Sequence, residues 1–269
     1  MQYKIITKNN VKYIEFPHIR EVGIFTHGFS TRVGGISPPP FDGLNLGFTT
    51  SDAEENLSVN RRLFLDALGI SGKQMHQLVE LVHGYAVLNA NQLKNNEIPE
   101  ADGIVTNQKN ILLVATFADC IPIFLADPVK KVCAVIHAGW RGTFQDIAAQ
   151  GVKKMTADFG SNPRDILAGI GPGIGRCCFE TGSGVANSFF YKYPQWKDLI
   201  KEIFNNNQDK KWKIDLPGLN LRILLKAGLS EGNVCIADLC TFCRKDLFFS
   251  YRRDGAVSGR MAAVIMKTA

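Results

Sequence analysis

The 269-residue chain lacks the marks of several large classes of protein. It has no run of five or six like charges, and its net charge of +6 is spread out, so we expect small anionic molecules rather than nucleic acid as partners. No apolar stretch reaches the length of a membrane span. Residues 1–4 lead into no signal-type apolar segment, so we expect neither export nor a membrane partner.

Nucleotide-binding fingerprints are also missing. The run Gly169–Gly175 contains four glycines, but no register supplies the third glycine of G-x-G-x-x-G, and Pro172 interrupts the loop. A P-loop motif does not occur. We interpret the run as a tight backbone turn close to a binding pocket.

Seven cysteines are an odd number, and most lie in apolar segments. This pattern favours a reducing cytoplasm over a disulfide framework. Cys240 and Cys243 form a Cys-x-x-Cys pair, but no second pair accompanies it at zinc-finger spacing. Cys177 and Cys178 are adjacent, which is cramped for two metal ligands. We therefore favour ordinary buried thiols here over structural zinc.

Hydrophobic residues make up 45% of the chain, enough to fill a proper core. No linker, repeat or low-complexity block divides it, so we predict one mixed α/β domain. Periodicity predicts strands over 3–7, 11–16, 24–32, 77–82, 111–116, 121–125, 132–136, 166–170, 234–237 and 262–266. It predicts helices over 51–68, starting with a capping box at Ser51, over 144–159, over 217–229, and with polar insertions over 181–213.

Three ligand-type side chains lie where apolar runs end or break. Cys120 interrupts one run, His137 ends the next, and His83 follows the strand predicted at 77–82. Since neighbouring strand ends can face one pocket, we interpret these residues as a site. Their spacing matches no familiar metal pattern, and a lone histidine beside an apolar run is more often a core residue.

Several basic residues are candidate substrate contacts. Arg141 stands between two glycines just before the helix predicted from residue 144, a context that suits an oxyanion. His27 and Arg32 begin a long loop that would serve as a lid or substrate loop. Arg61 lies on the helix at 51–68, where a solvated face is the simpler interpretation.

A family resemblance adds to these inferences. The sequence resembles the YfiH family, also called the multicopper polyphenol oxidase or laccase-domain family and associated with purine nucleoside phosphorylase activity. The resemblance covers nearly the whole chain, and its motifs are His27–Arg32 with Gly34-Gly35, Leu44–Gly47, Asn60–Arg62, Val82–Gly84, Ala118–Pro122, His137–Gly142, Gly171–Ile174 with Cys178–Glu180, and Phe248–Gly255.

The resemblance implies a fold and a metal site. The fold would be α+β, a four-layer α/β/β/α sandwich with mixed sheets, in a single domain over residues 1–269. The implied metal ligands are His83, Cys120 and His137, binding zinc, with copper as the alternative metal. One position departs from the family pattern, because Leu81 stands where the family usually has glutamine.

The implied activity is zinc-dependent phosphorolysis of adenosine, inosine, guanosine and methylthioadenosine, together with adenosine deamination. We place phosphate near Arg141 and the N–H groups that open the following helix, with Arg32 as a second clamp. The usual zinc-deaminase signature is absent, so another proton carrier is needed. Asp119 is the nearest carboxylate in sequence, and the alternative role for it is to fix the Cys120 loop.

Other functions use the same residues. A copper polyphenol oxidase would need further histidine-rich motifs, and the chain has five histidines in all. A metal-free hydrolase would use Cys120 as nucleophile and a histidine as base, and a peptidoglycan-editing role is also attached to the family. A non-catalytic binding module is the third class, and the mild charge gives it little support.

Overall fold

The computed structural model describes residues 3–70, 72–73, 79–94, 98–204 and 208–268. Its strands are β1 (Lys4–Lys8), β2 (Val11–Glu15), β3 (Phe25–Ser30), β4 (Val87–Asn89), β5 (Gly103–Thr106), β6 (Leu112–Phe117), β7 (Ile121–Asp127), β8 (Val132–Ala138), β9 (Leu167–Ile170), β10 (Glu180–Thr181), β11 (Ile200–Phe204), β12 (Lys210–Ile214), β13 (Val234–Ile236) and β14 (Met261–Lys267). Its α-helices are α1 (Pro17–Arg20), α2 (Glu54–Leu68), α3 (Trp140–Phe144), α4 (Ile147–Phe159), α5 (Ser183–Lys192), α6 (Leu216–Lys226) and α7 (Tyr251–Asp254).

Two large sheets form the centre of the molecule. The first has the strand order β1-β2-β3-β14-β6, and every pairing in it is antiparallel. The second has the order β13-β9-β7-β8-β5-β4, with parallel pairs at both edges and antiparallel pairs between them. Only the second large sheet is therefore mixed. A small third sheet, β10-β12-β11, lies to one side.

Alternation along the strands explains how the layers stack. In β14, Ala263 and Ile265 pack between the two sheets, whereas Ala262 and Val264 pack against the side covered by α2. The strands of the second sheet alternate in the same way between the inter-sheet core and helices α4 and α6. Both faces are buried, which is why these strands are continuous apolar runs. The predicted four-layer α/β/β/α sandwich is confirmed.

The antiparallel hairpin β7–β8 carries the centre of the site. Every residue of both strands is buried, and the register pairs Ile121 with Ala138 and Pro122 with His137. Asp127 stabilises the turn by accepting hydrogen bonds from the N–H groups of Val129 and Lys130. The hairpin therefore brings the start of one strand beside the end of the other.

The predicted helix over 144–159 is wrong in extent. A five-residue helix, α3, begins at Trp140, and α4 begins only at Ile147. The break falls at Asp146, whose backbone is left-handed with φ 60°, and whose carboxylate contacts the Tyr193 hydroxyl and Lys192. Those tertiary contacts outweigh the continuous helical pattern. Arg141 consequently lies inside a helix rather than before one.

The helical prediction for 181–213 is wrong for its second half, where β11 and β12 form a hairpin. The sequence signal that was missed is the alternation of polar lysines with apolar residues, which ends in the buried side chains of Trp212 and Ile214. The capping box at Ser51 is also wrong, because Ala53 precedes the first turn of α2. Asp52 instead accepts hydrogen bonds from Ser37 and Asn45, which ties the long loop to the helix.

Two further elements differ in their bounds. Helix α6 begins at Leu216 and ends at Lys226, and Asp215 caps it through the N–H of Gly218. Part of the strand predicted at 77–82 lies outside the described residues. Within 79–82 the strand prediction is wrong, because Glu80 forms only an isolated bridge with Glu100. Among the helices of the described ranges, none combines the length and apolar character that crossing a membrane requires.

Candidate active site and metal centre

Cys120 and His137 meet at the open end of the β7–β8 hairpin. Cys120 directly precedes β7, and His137 is the second-last residue of β8. The ligand atoms of His83, Cys120 and His137 all lie within 4.8 Å of one another. His137 is 3% exposed, Cys120 is half-buried and His83 is exposed, so the cluster opens from the core toward solvent. The structure brings together the three residues singled out from the strand ends.

Asp102 holds both histidines in place, and the sequence did not point to it. Its Oδ1 lies 2.8 Å from His137 Nδ1, and its side chain is fully buried. The same carboxylate accepts the N–H groups of His83 at 2.9 Å and Gly84 at 2.6 Å. His83 adopts a left-handed backbone with φ 58°. One carboxylate therefore orients one imidazole ring and fixes the strained turn that carries the other.

Two glycines allow the close approach of these segments. A Cβ on Gly139 would lie 3.1 Å from Cys120 Sγ and 3.2 Å from His83 Cδ2. A Cβ on Gly142 would lie 2.8 Å from the carbonyl oxygen of Gly84. A side chain at either position would push apart the residues that form the cluster.

The cluster shifts the ionisation of its own members. Burial would raise the pKa of the Cys120 thiol, but His137 and His83 lower it to about 6. Burial would lower the pKa of His137, but Cys120 and Asp102 raise it to about 9. Burial also opposes ionisation of Asp102, yet its hydrogen bonds hold its pKa below the usual range. At neutral pH the side chains therefore form a thiolate–imidazolium–carboxylate series.

These donors fit a divalent zinc ion. Two imidazoles and one thiolate are three ligands of the kind zinc prefers, and a three-ligand set leaves a coordination position free for water or substrate. The carboxylate behind His137 is the partner usually found for a metal-bound histidine.

A cavity of about 580 Å³ lies over the cluster. Its walls combine aromatic, aliphatic and charged side chains. They are Thr49, Glu80, Leu81, His83, Thr116, Ala118, Asp119, Cys120, His137, Gly139, Trp140, Arg141, Ile174, Phe179, Leu216, Tyr251, Arg252 and Arg260. The volume suits a small organic molecule.

Three arginines line this cavity. Arg141 is exposed, and its guanidinium stacks on the Trp140 ring at 4.6 Å. Arg252 lies over the Phe179 ring at 5.4 Å. Burial lowers the pKa of Arg260, whose guanidinium donates to the carbonyl groups of its neighbours in the chain. Together they make the cavity attractive to an anion.

Asp119 is saturated with hydrogen bonds. Its Oδ1 accepts the Thr241 hydroxyl at 2.6 Å, and its Oδ2 accepts the Ser250 hydroxyl at 3.0 Å and the Arg252 N–H at 2.6 Å. Its backbone is left-handed, with φ 87°. These contacts support the structural alternative for Asp119, which is to fix the turn leading into Cys120.

Three predicted contacts lie outside the cavity lining. His27 is fully buried, accepts the Phe16 N–H at 2.9 Å, and has a pKa that burial lowers to about 3. Arg32 binds the carbonyl oxygens of Asp42 and Lys245. Arg61 pairs with Glu54 at 2.8 Å. The structure gives each of the three a role in packing and does not bring them to the cluster.

The sequence reasoning missed Arg252 and Arg260 as well as Asp102. Arg252 had a signal, because it lies in the Phe248–Gly255 motif. Arg260 and Asp102 had none, because each becomes part of the site only when distant segments pack together.

Comparisons with known proteins agree with the fold. The family model for the multi-copper polyphenol oxidoreductase laccase matches residues 26–268. The chain is 36% identical over 246 residues to a Bacillus subtilis protein named purine nucleoside phosphorylase YlmD, covering 88% of this chain and 87% of that one.

It is 32% identical over 236 residues to the Escherichia coli purine nucleoside phosphorylase YfiH, covering 88% and 91% of the two chains. The crystal structure of a Bacillus licheniformis hypothetical protein YfiH superposes with a TM-score of 0.85 at 30% identity, covering 99% of each chain. The chain thus belongs to the multi-copper polyphenol oxidoreductase laccase family, the YfiH family that its motifs resemble.

Proposed function

We propose that the protein is a zinc-dependent purine nucleoside phosphorylase. The observation that carries the proposal is the opening of the His83–Cys120–His137 cluster into a cavity that three arginines line. Relatives at 32% and 36% identity are named for this activity, which supports the assignment. The proposed substrates are phosphate and adenosine, inosine, guanosine or methylthioadenosine.

His83, Cys120 and His137 would hold the zinc ion. When bound, zinc supplies a Lewis acid that polarises a substrate atom or lowers the pKa of a water molecule. Asp102 keeps His137 Nδ1 engaged, which leaves the other ring nitrogen as the one that would bind the metal. The thiolate form of Cys120, which the low pKa favours at neutral pH, is the form that binds a metal.

Phosphate would bind at one or more of the arginines that line the cavity. A guanidinium forms paired, charge-assisted hydrogen bonds with phosphate oxygens, and Arg141 has no hydrogen bond or ion pair from its guanidinium to another described residue. In the reaction a phosphate oxygen forms a bond to the anomeric carbon of the ribose. The bond from that carbon to the purine nitrogen breaks, and its electron pair leaves with the base, which must then gain a proton.

The other walls suit a purine. Trp140, Phe179 and Tyr251 present aromatic surface, while Leu81 and Ile174 add aliphatic surface. Aromatic side chains stack favourably on planar bases. Leu81 contributes only apolar contact where the family's usual glutamine would offer hydrogen bonds. At this position the base would therefore be recognised by packing rather than by hydrogen bonds.

Adenosine deamination is the second activity that we propose for the same cavity. It needs a carboxylate or another group to move a proton between water and the leaving amine. Because both oxygens of Asp119 are occupied, we assign this role to Glu80, which is exposed and lines the cavity. We place both activities in the cytoplasm, since a thiolate metal ligand and further free cysteines suit a reducing compartment.

The decisive experiment compares wild type with Cys120→Ala. Metal analysis is run beside an assay for phosphate-dependent release of base and ribose 1-phosphate from adenosine and inosine. We expect turnover only in wild type. Full turnover in Cys120→Ala, or turnover that does not depend on phosphate, would contradict the proposal, and copper in place of zinc would overturn the choice of metal.

Phosphate placement is tested with Arg141→Ala. Losing a charge-assisted contact costs about 1.5–3 kcal/mol, so the KM for phosphate should rise on the order of 10- to 100-fold with zinc content unchanged. Arg164→Ala removes an exposed arginine that does not line the cavity and serves as the matched control. An unchanged phosphate KM in Arg141→Ala would remove Arg141 from the phosphate site.

A metal-free thiol hydrolase is the runner-up, and the Cys120–His137–Asp102 series favours it over the remaining alternatives. The low pKa of Cys120 and the carboxylate behind His137 are what a cysteine nucleophile requires. Hydrolysis that survives complete chelation and is abolished by thiol alkylation would establish this function. Loss of activity on chelation, restored by zinc, would exclude it.

A further inference from the structure

Four cysteines outside the cavity converge in space. Cys177 and Cys178 lie in the turn after β9, and Cys240 and Cys243 lie in the turn after β13. All four sulfur atoms lie within 4.8 Å of one another. We call this group the four-cysteine cluster. It corrects the expectation of ordinary buried thiols, because Cys177 and Cys243 are exposed and the other two are partly exposed.

The distances between the sulfur atoms suit one shared metal ion. Cys243 Sγ lies 3.3 Å from Cys178 Sγ and 3.6 Å from Cys177 Sγ. Four sulfurs arranged tetrahedrally at the zinc–sulfur distance of about 2.3 Å would be about 3.8 Å apart. A disulfide would instead need about 2.0 Å between two of them.

Backbone hydrogen bonds hold the two turns together. Gly173 and Cys240 form a parallel bridge, and the Thr241 N–H donates to the Gly173 carbonyl at 2.9 Å. The Gly175 N–H donates to Cys240 Sγ at 3.3 Å. Hydrogen bonds from backbone N–H groups favour the thiolate, which is the metal-binding form.

The local backbone geometry also shows how the adjacent residues Cys177 and Cys178 can both bind one metal ion. The N–H groups of Cys178 and Phe179 both donate to the Gly175 carbonyl at 2.9 Å, so the chain turns tightly at Cys177 and Cys178. This turn presents both sulfurs to Cys243. A Cβ on Gly175 would lie 3.2 Å from Cys240 Cβ and 3.3 Å from Cys177 Sγ, so glycine allows the close approach of the two turns.

We propose that Cys177, Cys178, Cys240 and Cys243 bind a structural zinc ion, separate from the ion proposed for the cavity. Four protein thiolates close the coordination sphere, which is the structural rather than the catalytic form of a zinc site. The bound ion would fasten the turn after β9 to the turn after β13. The turn after β9 also contains Ile174 and Phe179, which line the cavity. The ion would therefore stabilise this part of the cavity wall.

The test is metal stoichiometry in the full-length protein, purified under reducing conditions without chelators. We expect two zinc ions per chain in wild type, one in Cys120→Ala, one in Cys243→Ser and none in the double variant. Cys133→Ala removes a buried cysteine that belongs to neither cluster and should retain both ions. The readout is metal content, so the result does not depend on whether the protein is a phosphorylase.

A second measurement needs no change in the four-cysteine cluster. Cobalt added to chelator-treated Cys120→Ala should produce the visible bands and the strong thiolate charge-transfer absorption of a four-sulfur site. Zinc should then raise the Tm of Cys120→Ala by several degrees, because the ion binds only the folded chain. Absence of zinc from Cys120→Ala, full zinc retention in Cys243→Ser, iron in place of zinc, or a disulfide within the cluster would overturn the proposal.

Discussion

The His83–Cys120–His137 cluster and the four-cysteine cluster both gather soft donors from distant segments, but they do so on different scaffolds. The first stands on a buried β-hairpin, with Asp102 behind it and a cavity in front. The second is built from two surface turns joined by backbone hydrogen bonds. A three-donor set with access to a cavity suits chemistry, and a closed four-donor set suits bracing.

The strongest way to separate the two clusters is to disturb the carboxylate that supports only the first. Asp102→Asn keeps the size of the side chain but loses the charge and one acceptor for the Gly84 N–H. Zinc affinity at the cavity should fall about 10- to 100-fold, with the four-cysteine cluster unaffected. Chelator competition in a Cys243→Ser background measures it. Asp66→Asn is the control, and equal affinities in both variants would show that Asp102 does not support the site.

The two clusters also differ in the pKa of their thiols. His137 and His83 bring the pKa of Cys120 to about 6, whereas burial and neighbouring cysteines raise the pKa of Cys177 to about 11. At pH 7 the thiolate fraction therefore favours Cys120. The lower intrinsic nucleophilicity of its thiolate offsets part of this advantage, which leaves a rate ratio on the order of 10- to 100-fold.

Iodoacetamide labelling of metal-stripped protein, followed by peptide mass spectrometry across a pH series, measures both rates. The rate at Cys120 should level off above about pH 6–7, while the rate at Cys177 should keep rising with pH. Labelling of Cys177 ahead of Cys120 at pH 7 would mean that the histidines do not activate Cys120.

Paired glycine substitutions should break one cluster at a time. Gly139→Ala forces a Cβ against Cys120 and His83, and Gly175→Ala forces one against Cys240 and Cys177. Each should weaken zinc binding at its own cluster by roughly tenfold, since neighbours must move by tenths of an ångström to fit the added atom. Gly184→Ala, with no atom within 4 Å of the added Cβ, is the control. Equal losses at both clusters would indicate general unfolding instead.

The smallest effect is expected at the contact between the two regions. Thr241→Val removes the donor to Asp119 Oδ1 and leaves a buried carboxylate oxygen unpaired. We expect a loss of about 1–3 kcal/mol in unfolding free energy and a several-fold loss of turnover, with both metal ions retained. Urea unfolding and the phosphorolysis assay report these two effects. Thr156→Val, on the exposed face of α4, should match wild type.

Sequence reasoning found the first cluster more readily than the second for a physical reason. Cys120 and His137 lie at the two ends of adjacent apolar runs, so a hairpin between them is enough to predict that they meet. Cys178 and Cys243 are 65 residues apart, and the strands that precede their turns are parallel neighbours in the sheet. Parallel pairing of two distant strands leaves no signal in the local sequence. In addition, the adjacent cysteines Cys177 and Cys178 looked too cramped to be ligands of one metal ion.

The buried strands were predictable because runs of apolar residues reveal burial on both faces, whereas the four layers were predicted only from the family resemblance. The split at Asp146 was not predictable, because side-chain contacts with Tyr193 and Lys192 decide it. The hairpin β11–β12 did have a sequence signal, the alternation of polar and apolar residues in a lysine-rich segment, but the prediction missed it. Likewise His27 was predicted to contact substrate, but its ring is enclosed between Phe16 and Phe124.

The carboxylate of Asp119 links the four-cysteine cluster to the cavity. It is adjacent to Cys120, and it receives hydrogen bonds both from Thr241, beside Cys240, and from the backbone of Arg252 at the cavity wall. If an ion in the four-cysteine cluster changes substrate affinity through this carboxylate, substrate must change the affinity for that ion by the same factor. Zinc supply and nucleoside supply would then be sensed together, each setting how strongly the protein retains the other.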